Sequence, residues 1–214
     1  QKDELRALML GLSPEDGSPL GQVQRYRDGR ERTPGWDLTF SAPKSVSVLW
    51  GQANDDLRFA IQAAHAAAVG EAISYLEEVA ATTRRGQGGV ELERVGLVVA
   101  TFEHGTSRCL DPQLHTHCLV MNAGLRDDGA FGALRSRDLF EHKMTAGSLY
   151  RLGLGQGLRE LGYELKAEGS WFEVAKVPPA LCESFSKRRQ AIESLLSELG
   201  ASGPRVAEKL ALTS

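Results

Sequence analysis

Residues 112–121 read PQLHTHCLVM, and their alternation constrains the chain more than any other stretch. Successive side chains of a strand point to opposite faces. Leu114, Thr116 and Cys118 therefore share one face, and His115 and His117 share the other. The first face suits a core. The second sets two imidazoles side by side, and neutral imidazole is a strong ligand for borderline divalent ions. The valine-rich stretch VELERVGLVVATFEH at 90–104 also reads as a strand and ends in His104. If 97–104 and 114–123 pair, the intervening loop returns the chain so that His104 joins the face of His115 and His117. Three protein ligands that leave positions open are what a catalytic metal site needs. The alternative is that the histidines merely happen to alternate. His65 and His142 fall in helical patterns with no partner at ligand spacing and read as structural. Cys109 and Cys118 lack the C-x-x-C spacing of a zinc site, and Cys118 faces away from the histidine pair.

Around this strand the pattern is mixed. WDLTFSAPKSVSVLW (36–50) reads as a strand, a tight turn at Pro43 and a second extended or helical piece. Residues 54–81, with Asn54 or Asp55 as cap and Leu57, Ile61, Ala64, Ala68, Ala72 and Leu76 at helical spacing, predict a long helix. Asp127, Asp128 and Gly129 suit a hairpin turn. A second helix is expected over Ser136 to Leu161, capped by Ser136 and weakened by four glycines (147, 153, 155 and 157). A hairpin about Glu168 and Gly169, a helix from Pro179 to Leu199 and a short helix after Pro204 complete the reading. Hairpin-joined strands interrupted by long helices predict an α+β fold, a mostly antiparallel central sheet covered by helices.

The 214 residues form one expected domain, and Gln1 at the start together with the unpunctuated AEKLALTS at the end suggests a fragment of a longer chain. With 25 basic and 28 acidic residues, the formal net charge of −3 neither advertises nor excludes nucleic acid; such a partner needs a local patch. Three widely spaced cysteines make no disulfide framework, and no long apolar run is present. The expected setting is reducing and cytosolic, with no membrane.

Two segments carry a resemblance. WDLTFSAPKSVSVLW (36–50) and FEHGTSRCLDPQLHTHCLVMNAG (102–124) resemble the hallmark motifs of TrwC/TraI-type (MobF) conjugative relaxases of the HUH endonuclease superfamily, in the right order and spacing. RSRDLFEHKMTAGSLYRLGLGQGLRELGYE and FSKRRQAIESLL extend the likeness to about residue 198. The resemblance implies a palm-like relaxase fold. It further implies a metal-dependent transesterase that nicks one strand of DNA at a plasmid transfer origin and keeps the 5′ end as a phosphotyrosine. It maps the metal triad onto His104, His115 and His117. It maps the acidic motif residue onto Asp37, either orienting a metal-binding histidine or assisting proton removal from the nucleophile. Mg2+ or Mn2+ is implied in function, and Zn2+ or Ni2+ also suits three histidines. Implied partners are single-stranded DNA and an origin hairpin, with accessory relaxosome and coupling proteins, in the bacterial cytoplasm.

The resemblance also places the nucleophilic tyrosines ahead of the segment that LRALMLGLSPED resembles, and it expects more residues between LGLSPED and GSPLGQV. Tyr26 is the first tyrosine of the chain and stands as an alternative nucleophile or a DNA-contacting loop residue. Phosphate contacts require local cations. Arg25, Arg27, Arg30 and Arg32 crowd the segment before the first motif, and Lys44, Arg108, Arg135 and Arg137 lie near the motifs. Of these, Arg30, Arg32, Lys44, Arg108, Arg135 and Arg137 are the expected DNA contacts. Two other readings remain at this point: a catalytically incomplete module that binds the origin hairpin, and an unrelated metal hydrolase or cupin-like enzyme, which the long helices argue against.

Overall fold

Three antiparallel strands build the central sheet of the computed structural model, which describes residues 2–20 and 33–198. The strand order is β1 (Gly35–Ser41), β5 (Pro112–Met121), β4 (Val99–Thr106). Before β1 comes α1 (Lys2–Met9); after it come α2 (Lys44–Gln52) and α3 (Asp55–Ala80). Asn54 caps α3, its side chain accepting from the Leu57 N–H at 3.1 Å. Two short strands, β2 (Thr82–Arg85) and β3 (Glu91–Arg94), form a separate ribbon before β4. The hairpin of β6 (Gly124–Leu125) and β7 (Phe131–Gly132) leads into α4 (Ser136–Glu160). The hairpin of β8 (Leu165–Glu168) and β9 (Trp171–Val174) leads into α5 (Pro179–Ser184) and α6 (Lys187–Glu198). All four sheets pair antiparallel, in agreement with the α+β expectation.

Of the two alternatives for the segment after Pro43, extended or helical, the structure has the helix, α2. Three local expectations change. The valine-rich stretch 90–104 is two strands, because residues 95–97 change partner: Val95 N–H donates to Ala81, Gly96 to Leu125, and Leu97 to the Glu77 carboxylate. Ser136 does not cap α4. The N-cap is Arg135, whose side chain makes no capping bond, and β2 takes over: the Arg135 N–H donates to the Thr82 carbonyl and the Thr82 hydroxyl to Asp138 in the first turn. The helix from Pro179 breaks at Phe185, because buried Asp111, in the loop before β5, accepts the Lys187 N–H at 2.8 Å and starts α6 anew. Residues 204 onward lie outside the described residues.

One face of the sheet makes the core. Phe40, Leu114, Cys118 and Val120 pack against Ile61, Ala68 and Leu76 of α3 and against Tyr150, Leu154 and Leu158 of α4. The glycines of α4 are tolerated because two of them admit α3: a Cβ at Gly157 would come within 2.8 Å of the Ala64 methyl, and one at Gly153 within 3.3 Å of the Ala68 methyl. His65 is wholly buried here, its Nε2 2.8 Å from the Thr116 hydroxyl and its Nδ1 2.9 Å from that of Tyr150. Burial, followed by the nearby His115, pushes the His65 pKa down to about 4. The unfolded chain binds that proton near pH 6.5 and the folded chain does not, so this contribution is complete above about pH 6.5 and lost as pH falls toward 4, about 3 kcal/mol in all. Urea unfolding between pH 7 and 4.5 is expected to show a shallower pH slope for H65Q than for the wild type.

The opposite face is divided. At one end Met121, Leu119 and Ala100 are covered by Leu20 and by Leu5 and Leu8 of α1. The other end, nearer the start of β5, carries the histidines.

Candidate metal centre

The antiparallel register sets His104 directly opposite His115, and Phe102 and Thr39 on either side of His117. Residues opposed in this way project to the same face, so strand pairing alone brings the three rings together. Their centroids lie 5.1–5.4 Å apart, and one ring nitrogen from each falls within 4.8 Å of the others. Among the described residues this is the one cluster of histidine, cysteine or carboxylate groups with that convergence.

The donor chemistry suits a cation. His115 Nδ1–H donates to the Gln113 carbonyl at 2.8 Å, and His117 Nδ1–H donates to Asp37 Oδ2 at 2.8 Å. Both acceptors can only accept, so each Nδ1 carries a proton, and in the neutral ring each Nε2 keeps a lone pair for a cation. A carbonyl or carboxylate behind a ligating histidine is the usual arrangement, because it fixes the tautomer and the ring. The Thr39 hydroxyl lies 3.1 Å from His117 Nδ1 and 3.4 Å from Asp37 Oδ1. Period-two alternation from Asp37 puts Thr39 on this face, and that signal was available in the sequence. Gln113 acts through its main chain, and no side-chain pattern announces it.

Lys44 opens α2, and its ammonium donates to the Pro112 carbonyl at 2.9 Å. Burial lowers its pKa, while Asp111 and Cys182 pull the other way. Arg108 lies exposed in the loop between β4 and β5. Arg135 sits 3.5 Å from Asp138, and Arg137 pairs with Glu141 at 2.7 Å along α4. Arg30, Arg32 and Tyr26 lie outside the described residues. Tyr150 is buried against His65, Tyr75 shares a 2.8 Å hydrogen bond with His142, and Tyr163 packs against the core. The three cysteines are free; Cys118 faces the core, where burial, with Asp37 adding to it, pushes its thiol up to about 11. Among the described residues no helix is long and apolar enough to cross a membrane.

Comparison with known proteins bears on the same residues. The chain is 37% identical over 210 residues to the multifunctional conjugation protein TraI of Escherichia coli; the match covers 92% of this chain and 11% of TraI, so the chain spans about a tenth of that relative. It is similar to the conjugative relaxase TrwC solved in complex with OriT DNA without metal: TM-score 0.88, 32% identity, 99% of this chain and 75% of that one. The metal-bound form of that complex matches with the same TM-score and identity, over 99% of this chain and 73% of that one. The TrwC relaxase family model matches residues 1–214 from end to end, and together with the paired strands that present three histidines on an open sheet face, this establishes that the chain belongs to the TrwC relaxase family.

Proposed function

We propose that this chain is the strand-transfer part of a conjugative relaxase, which cuts one strand of DNA at a transfer origin and joins the 5′ phosphate to a tyrosine. The observation that carries the reading is the convergence of three imidazoles on an exposed sheet face, two of them with Nδ1 already engaged. His104, His115 and His117 would hold the ion, which when bound supplies Lewis-acid charge to the non-bridging oxygens of the scissile phosphate. We assign Mg2+ or Mn2+ to the reaction; Zn2+ and Ni2+ suit the all-imidazole donor set.

The chain's own groups do the remaining work. Asp37 holds His117 in one tautomer, and its carboxylate is the candidate acceptor for the proton of an attacking hydroxyl. Exposed Arg108, in the loop that joins two of the ligand strands, is the nearest candidate in sequence for a phosphate contact, with Arg135 and Arg137 on α4 as further candidates. Lys44 fixes the start of β5 through the Pro112 carbonyl and contributes positive charge from there. Partners on this reading are the single strand and hairpin of the origin, then accessory relaxosome and coupling proteins, in the bacterial cytoplasm.

One observation favours a second reading, a hairpin-binding module that does not cut. Tyr75, Tyr150 and Tyr163 are all engaged in packing or hydrogen bonds on the helix side of the molecule. Incubation of an origin-containing single strand with Mn2+ separates the two readings. The chain is tested alone and with a tyrosine-bearing segment ahead of Gln1, where the family resemblance puts the nucleophile. A 5′ covalent adduct that disappears in the His117→Ala variant supports strand transfer. Hairpin binding with no adduct in either form supports the module, and indifference to DNA contradicts both.

Asp37→Ala is expected to weaken Mn2+ or Ni2+ binding by about 10- to 100-fold in calorimetry, because His117 loses the carboxylate that fixes its ring. Unchanged affinity would remove Asp37 from the centre.

A further inference from the structure

We propose that Gly105 and Trp50 are positioning residues for His104, fixing the stretch of β4, opposite a β-bulge of β5, from which it reaches the metal; this rests on the metal reading of the three-histidine cluster.

The need for such a device follows from an asymmetry among the ligands. The rings of His115 and His117 are each held by an acceptor at 2.8 Å. The ring of His104 has no hydrogen bond among the described residues, and His104 lies exposed on the edge strand β4. Its aim must therefore come from the main chain.

That main chain is irregular at the next residue. His104 pairs with His115 and Thr106 with Pro112, so Gly105 alone stands opposite both Gln113 and Leu114. The extra residue lies in β5, which it bends, re-aiming the neighbouring His115; on β4 the single Gly105 spans the irregularity and sets where His104 stands against it. The two extra groups it frees are both used. The Leu114 N–H donates to the Ser47 hydroxyl of α2 at 3.1 Å, and the Gln113 carbonyl accepts the His115 Nδ1–H. The bulge thus orients His115 directly, and Gly105, opposite it, carries His104.

Trp50 of α2 holds the bulge from below. A Cβ at Gly105 would lie 2.9 Å from Trp50 Cζ3 and 3.2 Å from Cζ2, and closer still to Cη2, so β4 rests directly on the edge of the indole. Next along α2, a Cβ on Gly51 would meet the Pro112 ring at 3.0 and 3.1 Å, which seats α2 tightly against the start of β5. Among the described residues the Trp50 Nε1 is buried without a hydrogen-bond partner, so packing, with the Arg58 guanidinium 6.0 Å from the ring centroid, places this ring. On the other side of His104, Glu103 accepts from Gln62 of α3 at 2.6 Å. His104 is bracketed by α3 before it and α2 after it.

The test is a Co2+ titration, followed by calorimetry and by the visible d–d absorption, on the wild type, Gly105→Ala, Trp50→Leu and the double variant. Thermal unfolding of each metal-free protein accompanies it. Gly105→Ala is expected to weaken Co2+ binding about tenfold or more and to change the d–d band, as loss of an orienting contact does. In the double variant the added methyl occupies space left by the indole, and affinity returns to within roughly threefold of the wild type, a non-additivity that reports contact between the two sites. Wild-type affinity and band in Gly105→Ala, or a double variant no better than the two single losses combined, would overturn the proposal. If Gly105→Ala does not fold, Trp50→Leu carries the test: a folded protein with weakened Co2+ binding and an altered band supports it, and an unchanged one overturns it. Failure of the wild type to take up Co2+ removes the metal reading itself; uptake by the wild type with indifferent variants removes only the roles of Gly105 and Trp50.

Discussion

Replacing His115 by alanine is expected to abolish specific uptake of a divalent ion while leaving origin-hairpin binding within about twofold of the wild type. The two effects separate because phosphate contacts that position a duplex are made by cationic and polar groups away from the ion. Loss of an orienting partner costs up to about 100-fold in metal affinity, and loss of a ligand must cost more. The metal-free protein should hardly notice: His115 is half-buried, and its one hydrogen bond, to the Gln113 carbonyl, is worth about 1 kcal/mol. Calorimetry with Mn2+ and hairpin binding by fluorescence anisotropy check the pair of outcomes. Equal loss of both would mean that His115 supports the DNA surface as a whole.

Leu154→Ala is expected to do the reverse. Leu154 is wholly buried in the layer where α4 meets α3 and the sheet. Truncation removes transfer free energy and leaves a cavity, together about 2–5 kcal/mol, a large share of the roughly 5–15 kcal/mol that a domain has. Urea unfolding should show the loss as a lower midpoint with an unchanged slope. The fraction that remains folded should bind the ion with wild-type affinity, because the ligands stand on the other face of the sheet. A parallel fall in affinity would show that the helix layer reaches through the sheet to the metal face.

The contrast explains what was legible in the sequence. Period-two alternation in PQLHTHCLVM sorts His115 and His117 from Leu114, Thr116 and Cys118, and the structure buries the second set while keeping the first half-buried. The long helices announced themselves by spacing and, for α3, by Asn54. His65 was separable from the ligands because it belongs to a helical pattern, and it proves to be a buried group tied to Thr116 and Tyr150. What the sequence concealed depends on partners remote in the chain. The division of 90–104 into β3 and β4 is imposed by Ala81, Leu125 and Glu77. The break between α5 and α6 is imposed by Asp111, 76 residues before Lys187. The bulge at Gln113 and Leu114, opposite Gly105, belongs to the pairing of two strands, and neither strand's sequence contains it alone. For the site, the histidine triad and Asp37 were visible as residue types, and Thr39 was reachable by alternation from Asp37, but Ser47, Trp50 and the Gln113 carbonyl gain their significance only once the register is known.

Pulsed electron paramagnetic resonance of the Mn2+-loaded chain with an origin single strand tests at once whether three imidazoles hold one cation and whether that cation lies against a DNA phosphodiester. The expected spectrum contains nitrogen couplings from histidine that vanish in a variant lacking all three rings, and a phosphorus coupling that appears only when DNA is added. Manganese signals without histidine nitrogen, or with no phosphorus coupling at saturating DNA, would contradict this arrangement.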